Sequence, residues 1–272
     1  MLANGRTDIS QRLRRAHAYE SPREDVQRHV PLHASRILEL GCSTGALGAA
    51  LKCRQNAVVV GVEIDPDYAS EARSRLDRVI VADVESFLDD PVPPEAPFDC
   101  LIAADVLEHL VDPWTALRRA VELLDRHATA VISIPNVLEW RGLWRLIRTG
   151  RWPLADAGVF DRTHLRWFTR DDALALVRQA GLRPLDLDPR YWGSDGKRLQ
   201  PKRFIAKTPL DRFLPFQYII TAIKERSAAY DSGRIGTHRD PRLVTFPGSR
   251  SGGSGPTVTS ERVAGRRARP LT

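Results

Sequence analysis

The chain has 272 residues, 42% hydrophobic and 28% charged, and that composition can fill one sizeable α/β core. It contains no run of about 18 apolar residues, which excludes a membrane-spanning helix. The net charge of +7 is uneven: residues 225–272 hold nine Arg, no Lys and four acids, a net of +5, leaving +2 on residues 1–224. Charge gathered in a Gly/Ser-rich stretch with few large apolar residues reads as a solvated, disordered tail, which argues against specific nucleic-acid binding.

Residues 1–16 form a basic lead with Arg6, Arg12, Arg14 and Arg15 but no apolar core of a secretory signal. A short helix is predicted over 25–30. Strands follow near 36–40, 57–62, 78–82, 98–104 and 128–134, with helices near 45–53, 67–76, 113–125 and 170–180. This alternation implies right-handed crossovers and a parallel sheet. Asp112 and Pro113 suit the N-cap and first position of the helix at 113, and Gly181 suits the C-terminal cap of the helix at 170. Two further strands are predicted over 183–187 and 216–223. Cys42, Cys53 and Cys100 are odd in number and lie in or beside predicted core elements. They read as buried thiols of a reducing compartment, and the cytoplasm is the expected location.

The strand ends carry the chemistry. The first strand runs into Glu39, Leu40, Gly41, Cys42, Ser43, Thr44 and Gly45, and a helix-forming stretch follows. In an open parallel sheet such a glycine turn sits where nucleotides bind. The second strand ends in Glu63, 22 positions after Gly41, near the spacing of about 20 residues for an acid that grips ribose hydroxyls. The third ends in Asp83, placed for an adenine amino group or serving as an ordinary N-cap, and the fourth in Asp105. A dinucleotide fingerprint needs glycine two positions after the first, and Ser43 stands there. That argues against an NAD-dependent dehydrogenase.

With the segments Tyr19-Glu20-Ser21-Pro22-Arg23, Asp105-Val106-Leu107-Glu108-His109, Ser133-Ile134-Pro135-Asn136 and Asp161-Arg162-Thr163-His164-Leu165-Arg166-Trp167-Phe168-Thr169, these motifs resemble the class I S-adenosylmethionine-dependent methyltransferases. The resemblance covers roughly residues 17–224 and is closest to a bacterial group similar to the ubiquinone-biosynthesis and glycan or small-molecule O-methyltransferases. It implies a Rossmann-like α/β sheet of seven strands, mostly parallel with the last antiparallel, and helices on both faces. The final two strands would form a hairpin beside strand five. S-adenosylmethionine would be held by Glu39, Gly41, Cys42, Gly45, Glu63, Ile64, Asp83, Val84 and Asp105. Many members have glycine where Ser43 stands.

The resemblance also implies that the insertion at 136–169 covers the cofactor mouth and builds the acceptor pocket. It holds four of the six Trp (140, 144, 152 and 167), and residues 137–148 place Trp140, Leu143, Trp144 and Ile147 on one helical face. That face suits packing on the core, an aromatic platform for a sugar, or an interfacial helix for lipid-borne substrate. Methyl transfer to a hydroxyl needs a base. His164 is the first candidate, with Asp161 as an orienting neighbour, and His109 is the second. The other reading of His164 is structural, bonding a backbone carbonyl while Asp161 pairs with Arg166. Asp105, Glu108 and His109 are similar to the E-x-x-E-H pattern that binds Mg²⁺ in ubiquinone-type enzymes; the alternative is acids at a helix N-terminus, and no metal ligand is assigned.

The expected function is O-methylation of a sugar, glycosylated or lipid-linked small molecule, with peripheral membrane contact compatible with the lid. The other readings are N- or C-methylation of a small metabolite, the dehydrogenase, or a non-catalytic module with a basic tail.

Overall fold

The structure is a computed structural model, and it describes residues 20–192 and 210–225. The chain divides into units Met1–Ala228 and Ala229–Thr272, and every described residue belongs to the first. The expectations for residues 1–16 and for the tail beyond Glu225 lie outside the described residues.

Helix α1 (Glu24–Gln27) leads into alternating strands and helices: β1 (Arg36–Leu40), α2 (Ala46–Gln55), β2 (Val58–Glu63), α3 (Pro66–Ala72), β3 (Arg78–Val81), α4 (Val84–Asp89), β4 (Phe98–Ala104), α5 (Pro113–Glu122) and β5 (Leu124–Pro135). Then come α6 (Trp140–Thr149), α7 (Arg170–Gln179), β6 (Leu182–Arg190) and β7 (Gln217–Lys224). The sheet order is β3-β2-β1-β4-β5-β7-β6. Pairings among the first five strands are parallel, and β7 runs antiparallel to both β5 and β6. The last strand thus inserts between β5 and its predecessor. No helix among the described residues is long and apolar enough to cross a membrane.

Strand alternation divides the core in two. Leu38, Leu40, Val60 and Val62 face one side with Phe87 of α4, Leu117 of α5 and Leu176 of α7. Ile37, Val59, Cys100 and Ile102 face the other with Val26 of α1 and Leu47 and Leu51 of α2. Side chains pointing to opposite faces at successive positions produce this division, and helices cover both faces.

Two local expectations hold in detail. Asp112 accepts the Thr115 N–H ahead of Pro113, and Gly181 ends α7 at φ +81°. Two others fail. Helix α4 was not expected: Asp83 begins it, accepting the Glu85 and Ser86 N–H groups. Of the three cysteines Cys42 and Cys100 are buried, whereas Cys53 is exposed near the end of α2. Burial, then Glu39, pushes the Cys42 thiol up, and burial does the same to Cys100, so both are poor nucleophiles.

Candidate active site

The carboxyl ends of β1, β2 and β4 are brought level by register, Leu40 pairing with Val62 on one side and Ala103 on the other. Strand order reverses between β1 and β4, the switch point where open α/β sheets bind ligands. Non-glycine residues with positive φ are uncommon. Of the four among the described residues, Ser43 (φ +49°) and Asp105 (φ +59°) lie at this edge and Arg23 (φ +48°) reaches into it, while Asn56 ends α2. Strain gathered at one place is a mark of a functional site.

The turn after β1 alternates through the left-handed region at Gly41 (φ +67°), Ser43 and Gly45 (φ +76°). A Cβ on Gly41 would also lie 3.0 Å from Val106 Cγ2, so the turn rests directly on the loop after β4. Glu63 fastens the turn to β2: its Oε2 accepts the Ser43 N–H at 2.8 Å and its Oε1 the Asp65 N–H at 2.9 Å. Burial raises its carboxyl above the ordinary value, against these bonds. Ile64, next to it, is 61% exposed at the same edge, an apolar surface flanked by Glu63 and Asp65.

Several expected cofactor residues turn out to support the cradle from behind. The Glu39 carboxyl is buried under the first turn of α2, where a Cβ on Gly48 would stand 2.8 Å from its Oε2. Burial, then Glu63, pushes its pKa up to about 8. The Cys42 side chain is buried against Gly61, whose Cβ would meet Sγ at 2.5 Å. Val84 packs in the core beside Phe87. Asp83 caps α4 through Oδ1, the role that a turn acid has without any ligand.

Asp105 sits in a polar clamp. Its Oδ1 accepts from Ser133 Oγ at 2.9 Å and from Gln217 Nε2, and its Oδ2 accepts from Arg23 Nη1. Arg23 also donates to Asp25 Oδ1 at 3.1 Å, and Asp25 pairs with Arg190 at 2.7 Å. Burial alone would lower Arg23, but Asp105 and then Asp25 outweigh it and hold the guanidinium above its ordinary value. Arg23 was not among the expected site residues, although its segment was one of the motifs.

Below this clamp lie the two candidate bases. His164 is buried, and its Nδ1 is 3.0 Å from the Val159 carbonyl. A carbonyl only accepts, so Nδ1 carries the proton and Nε2 is the basic nitrogen. Burial, then His109, lowers its pKa below the ordinary imidazole value, which favours the neutral ring. The expected orienting partner, Asp161, instead accepts from Thr163 N at 2.8 Å and Thr163 Oγ1 at 2.7 Å; the Val159 carbonyl orients the ring in its place. Arg166 donates to the Val111 carbonyl, a different role from the expected pairing with Asp161. His109 meets His164 edge to face, ring centres 4.7 Å apart, with its Nδ1 3.2 Å from the Thr163 carbonyl.

The E-x-x-E-H reading does not suit these positions. Asp105 is held in the clamp and stands outside the donor atoms that come together here, and Glu108 is fully buried and held well above the carboxylate range by burial and then by Asp105. Donor atoms of Glu108, His109 and His164 do lie within 4.8 Å of one another. Two imidazoles with one carboxyl are a poor set for a hard ion such as Mg²⁺.

The insertion forms the wall beyond these histidines. Its strand-like ends are tied down, Val137 N–H to Phe168 O and the Leu165 and Arg166 N–H groups to Glu108 O. Trp152 stands edge to face with both Phe160 and Trp167, each at 5.3 Å. Core packing of the expected apolar stripe is not what α6 does, since Trp140, Trp144 and Ile147 are all exposed.

A doubly wound sheet with an acid-and-glycine edge and no dinucleotide turn defines a class I methyltransferase-like fold. The sequence profile of a family described as a methyltransferase domain matches residues 5–187, and the chain belongs to that family. Ubiquinone biosynthesis O-methyltransferase of Xylella fastidiosa is 32% identical over 124 residues, 44% of this chain and 50% of the relative. Trans-aconitate 2-methyltransferase of Methylobacterium nodulans is 33% identical over 175 residues, 61% of this chain and 66% of the relative. The chain thus spans half to just under two thirds of the length of these curated relatives. A SAM-dependent methyltransferase from Archaeoglobus fulgidus has the same fold, with a TM-score of 0.57 at 16% identity, covering 80% of this chain and 100% of that one.

Proposed function

We propose that the chain transfers a methyl group from S-adenosylmethionine to a hydroxyl of a small-molecule acceptor, on a sugar or a glycosylated or lipid-linked metabolite. The observation that carries the reading is a buried His164 whose Nδ1 proton is held by Val159 O, which leaves Nε2 as the basic nitrogen, beside the switch point of a methyltransferase sheet.

The residues present fit the cofactor. Glu63 accepts the Ser43 N–H on one oxygen and the Asp65 N–H on the other, and its remaining acceptor capacity suits a ribose diol. Ile64 offers an exposed apolar face for a purine, and Asp83 Oδ2 lies beside the capping Oδ1 for an amino group. Arg23 and Asp105, opposite charges in contact, match the carboxylate and ammonium of an amino-acid end. When bound, S-adenosylmethionine supplies a methyl group already activated on a sulfonium centre.

The chain then has to position the acceptor oxygen and remove its proton. His164 Nε2 takes that proton, and the Val159 carbonyl stabilises the resulting imidazolium through Nδ1–H. Trp152 and Trp167 give flat apolar surfaces on which a sugar or aromatic ring stacks. A relative named for O-methylation supports oxygen as the acceptor atom. The test is calorimetry with S-adenosylhomocysteine. Wild type should bind, and Glu63→Ala, which loses two charge-assisted hydrogen bonds, should weaken binding about 100-fold or more. Undiminished affinity in Glu63→Ala would remove the cofactor assignment. Label from methyl-labelled cofactor found on nitrogen or carbon would remove the hydroxyl assignment alone.

A further inference from the structure

Helix α6 presents a surface that the sheet leaves open. Only Gly142 of its ten residues is buried, because it lies against the Phe160 ring, where a Cβ would come within 1.9 Å. At about 100° per residue, Trp140, Trp144 and Ile147 fall on one stripe, and they are 49%, 59% and 75% exposed. Leu143 and Leu146, half-buried, lie between that stripe and Gly142, on the side that meets the protein. Arg141, Arg145 and Arg148 occupy the opposite flank, all exposed. The pattern continues past Gly150 with Arg151, Trp152 and Leu154. Residues 140–155 contain four Arg and no acid. Around the helix the order is therefore a seam against the protein, an aromatic and aliphatic ridge, and an arginine stripe.

We propose that α6 docks the protein on an anionic bilayer, with Trp140, Trp144 and Ile147 at the acyl boundary and the arginines on headgroup phosphates. Indole rings favour the membrane–water boundary, where their apolar body and N–H are both accommodated. Guanidinium groups match phosphate geometry, and their long stems let them reach phosphate while the ridge inserts. A second copy is the poorer occupant. A two-fold contact would bring the same four uncompensated arginines together with no acid between them. Nucleic acid would engage the arginines but leave Ile147, the most exposed apolar side chain of the helix, facing water. The docking is independent of which atom is methylated and of the cofactor assignment.

Flotation of the full-length chain with vesicles tests this, using phosphatidylcholine alone and phosphatidylcholine mixed in equal parts with phosphatidylglycerol. The chain should float with the mixed vesicles, less at high salt, and little with phosphatidylcholine alone. Trp144→Glu combined with Ile147→Glu should lower partition at least about tenfold, because charge replaces the inserted ridge. Both positions are exposed, so circular dichroism and S-adenosylhomocysteine affinity should stay as in wild type. Arg145→Gln and Arg148→Gln should each lower partition about fivefold. No binding to the mixed vesicles, or equal binding by the double glutamate variant, overturns the proposal. So does binding that survives in that variant but disappears when Arg262, Arg266, Arg267 and Arg269 become Gln, since the tail would then be the anchor. A dimer that the double glutamate variant dissolves would assign the face to a second copy and overturn it too.

Discussion

The turn after β1 and the insertion between β5 and α7 are each seated on a glycine, Gly61 of β2 against Cys42 Sγ of the turn and Gly142 of α6 against the Phe160 ring. Around Gly61 everything is buried and fastened: Glu63 ties two turns, Glu39 fills the space under α2, and strand register fixes the height of each residue. Around Gly142 the contact is a single seam, and the rest of α6 faces solvent. The strand edge has one geometry to keep, as a cofactor of fixed shape requires. The insertion is held at its two ends and at one seam, which leaves its surface free to suit an acceptor. Site residues on the rigid edge are set by the fold, whereas those on the insertion are set by what it meets.

The largest effect that sharpens this contrast belongs to the insertion. His164→Ala should lower kcat about 10²–10⁴-fold, with S-adenosylhomocysteine affinity unchanged within a few-fold, because the proposed base acts on the acceptor and not on the cofactor. In wild type the rate should persist to lower pH than an ordinary imidazole base would allow and fall as the ring protonates, since burial and His109 depress its pKa. Near-normal turnover in His164→Ala beside an inactive His109→Ala would move the base to His109. A pH–rate profile in both variants reads the difference.

The next effect belongs to the edge and is seen in stability. Glu39 has a native pKa of about 8 against an ordinary value of 4.5. The folded state therefore binds the extra proton, so this contribution is full below pH 4.5 and is lost as pH rises towards 8. The loss should be on the order of a few kcal/mol. Glu39→Gln keeps the shape without the charge and should flatten that part of the stability curve in urea titrations from pH 5 to about 8. An unchanged slope would mean that Glu39 ionises freely in the fold.

The smallest expected effect tests the glycines directly. Gly61→Ala should cost about 1–3 kcal/mol and weaken cofactor binding, because the added methyl meets Cys42 in a closed core. Gly142→Ala should shift α6 on Phe160 and alter acceptor KM while leaving S-adenosylhomocysteine affinity as it is. Calorimetry on the two variants separates the regions; equal loss of cofactor affinity in both would show that the insertion and the edge move as one.

The sequence made the sheet legible because each of its first five strands is an apolar run closed by an acid, a proline or a glycine turn. Glu63 and Asp105 were recognisable for the same reason, as acids on strand ends. Helix α4 escaped because six residues give little periodicity, and the better signal was Asp83 itself, which reads as an ordinary N-cap as well as an adenine contact. Ser43 was legible only as a departure from glycine. Its φ of +49° explains why glycine would suit that position and what the Glu63 bond compensates. Arg23 could not be read as part of the site, since its partner Asp105 is 82 positions away and only tertiary structure joins them. The Val159 carbonyl on His164 is likewise a backbone group, and no side-chain pattern announces it.

The clamp on Asp105 has a consequence for synthesis on the ribosome. One of its partners, Arg23, is made early, and another, Gln217, opens the final strand of the sheet. A nascent chain that has released β1 to β5 already has its glycine turn and Glu63, yet holds Asp105 without its last donor. The pocket is finished only when the end of the domain emerges and threads between β5 and β6. Full ligand binding is thus expected only of a chain made through β7, and a cut just before β7 would take a donor from Asp105 without touching any residue that lines the turn.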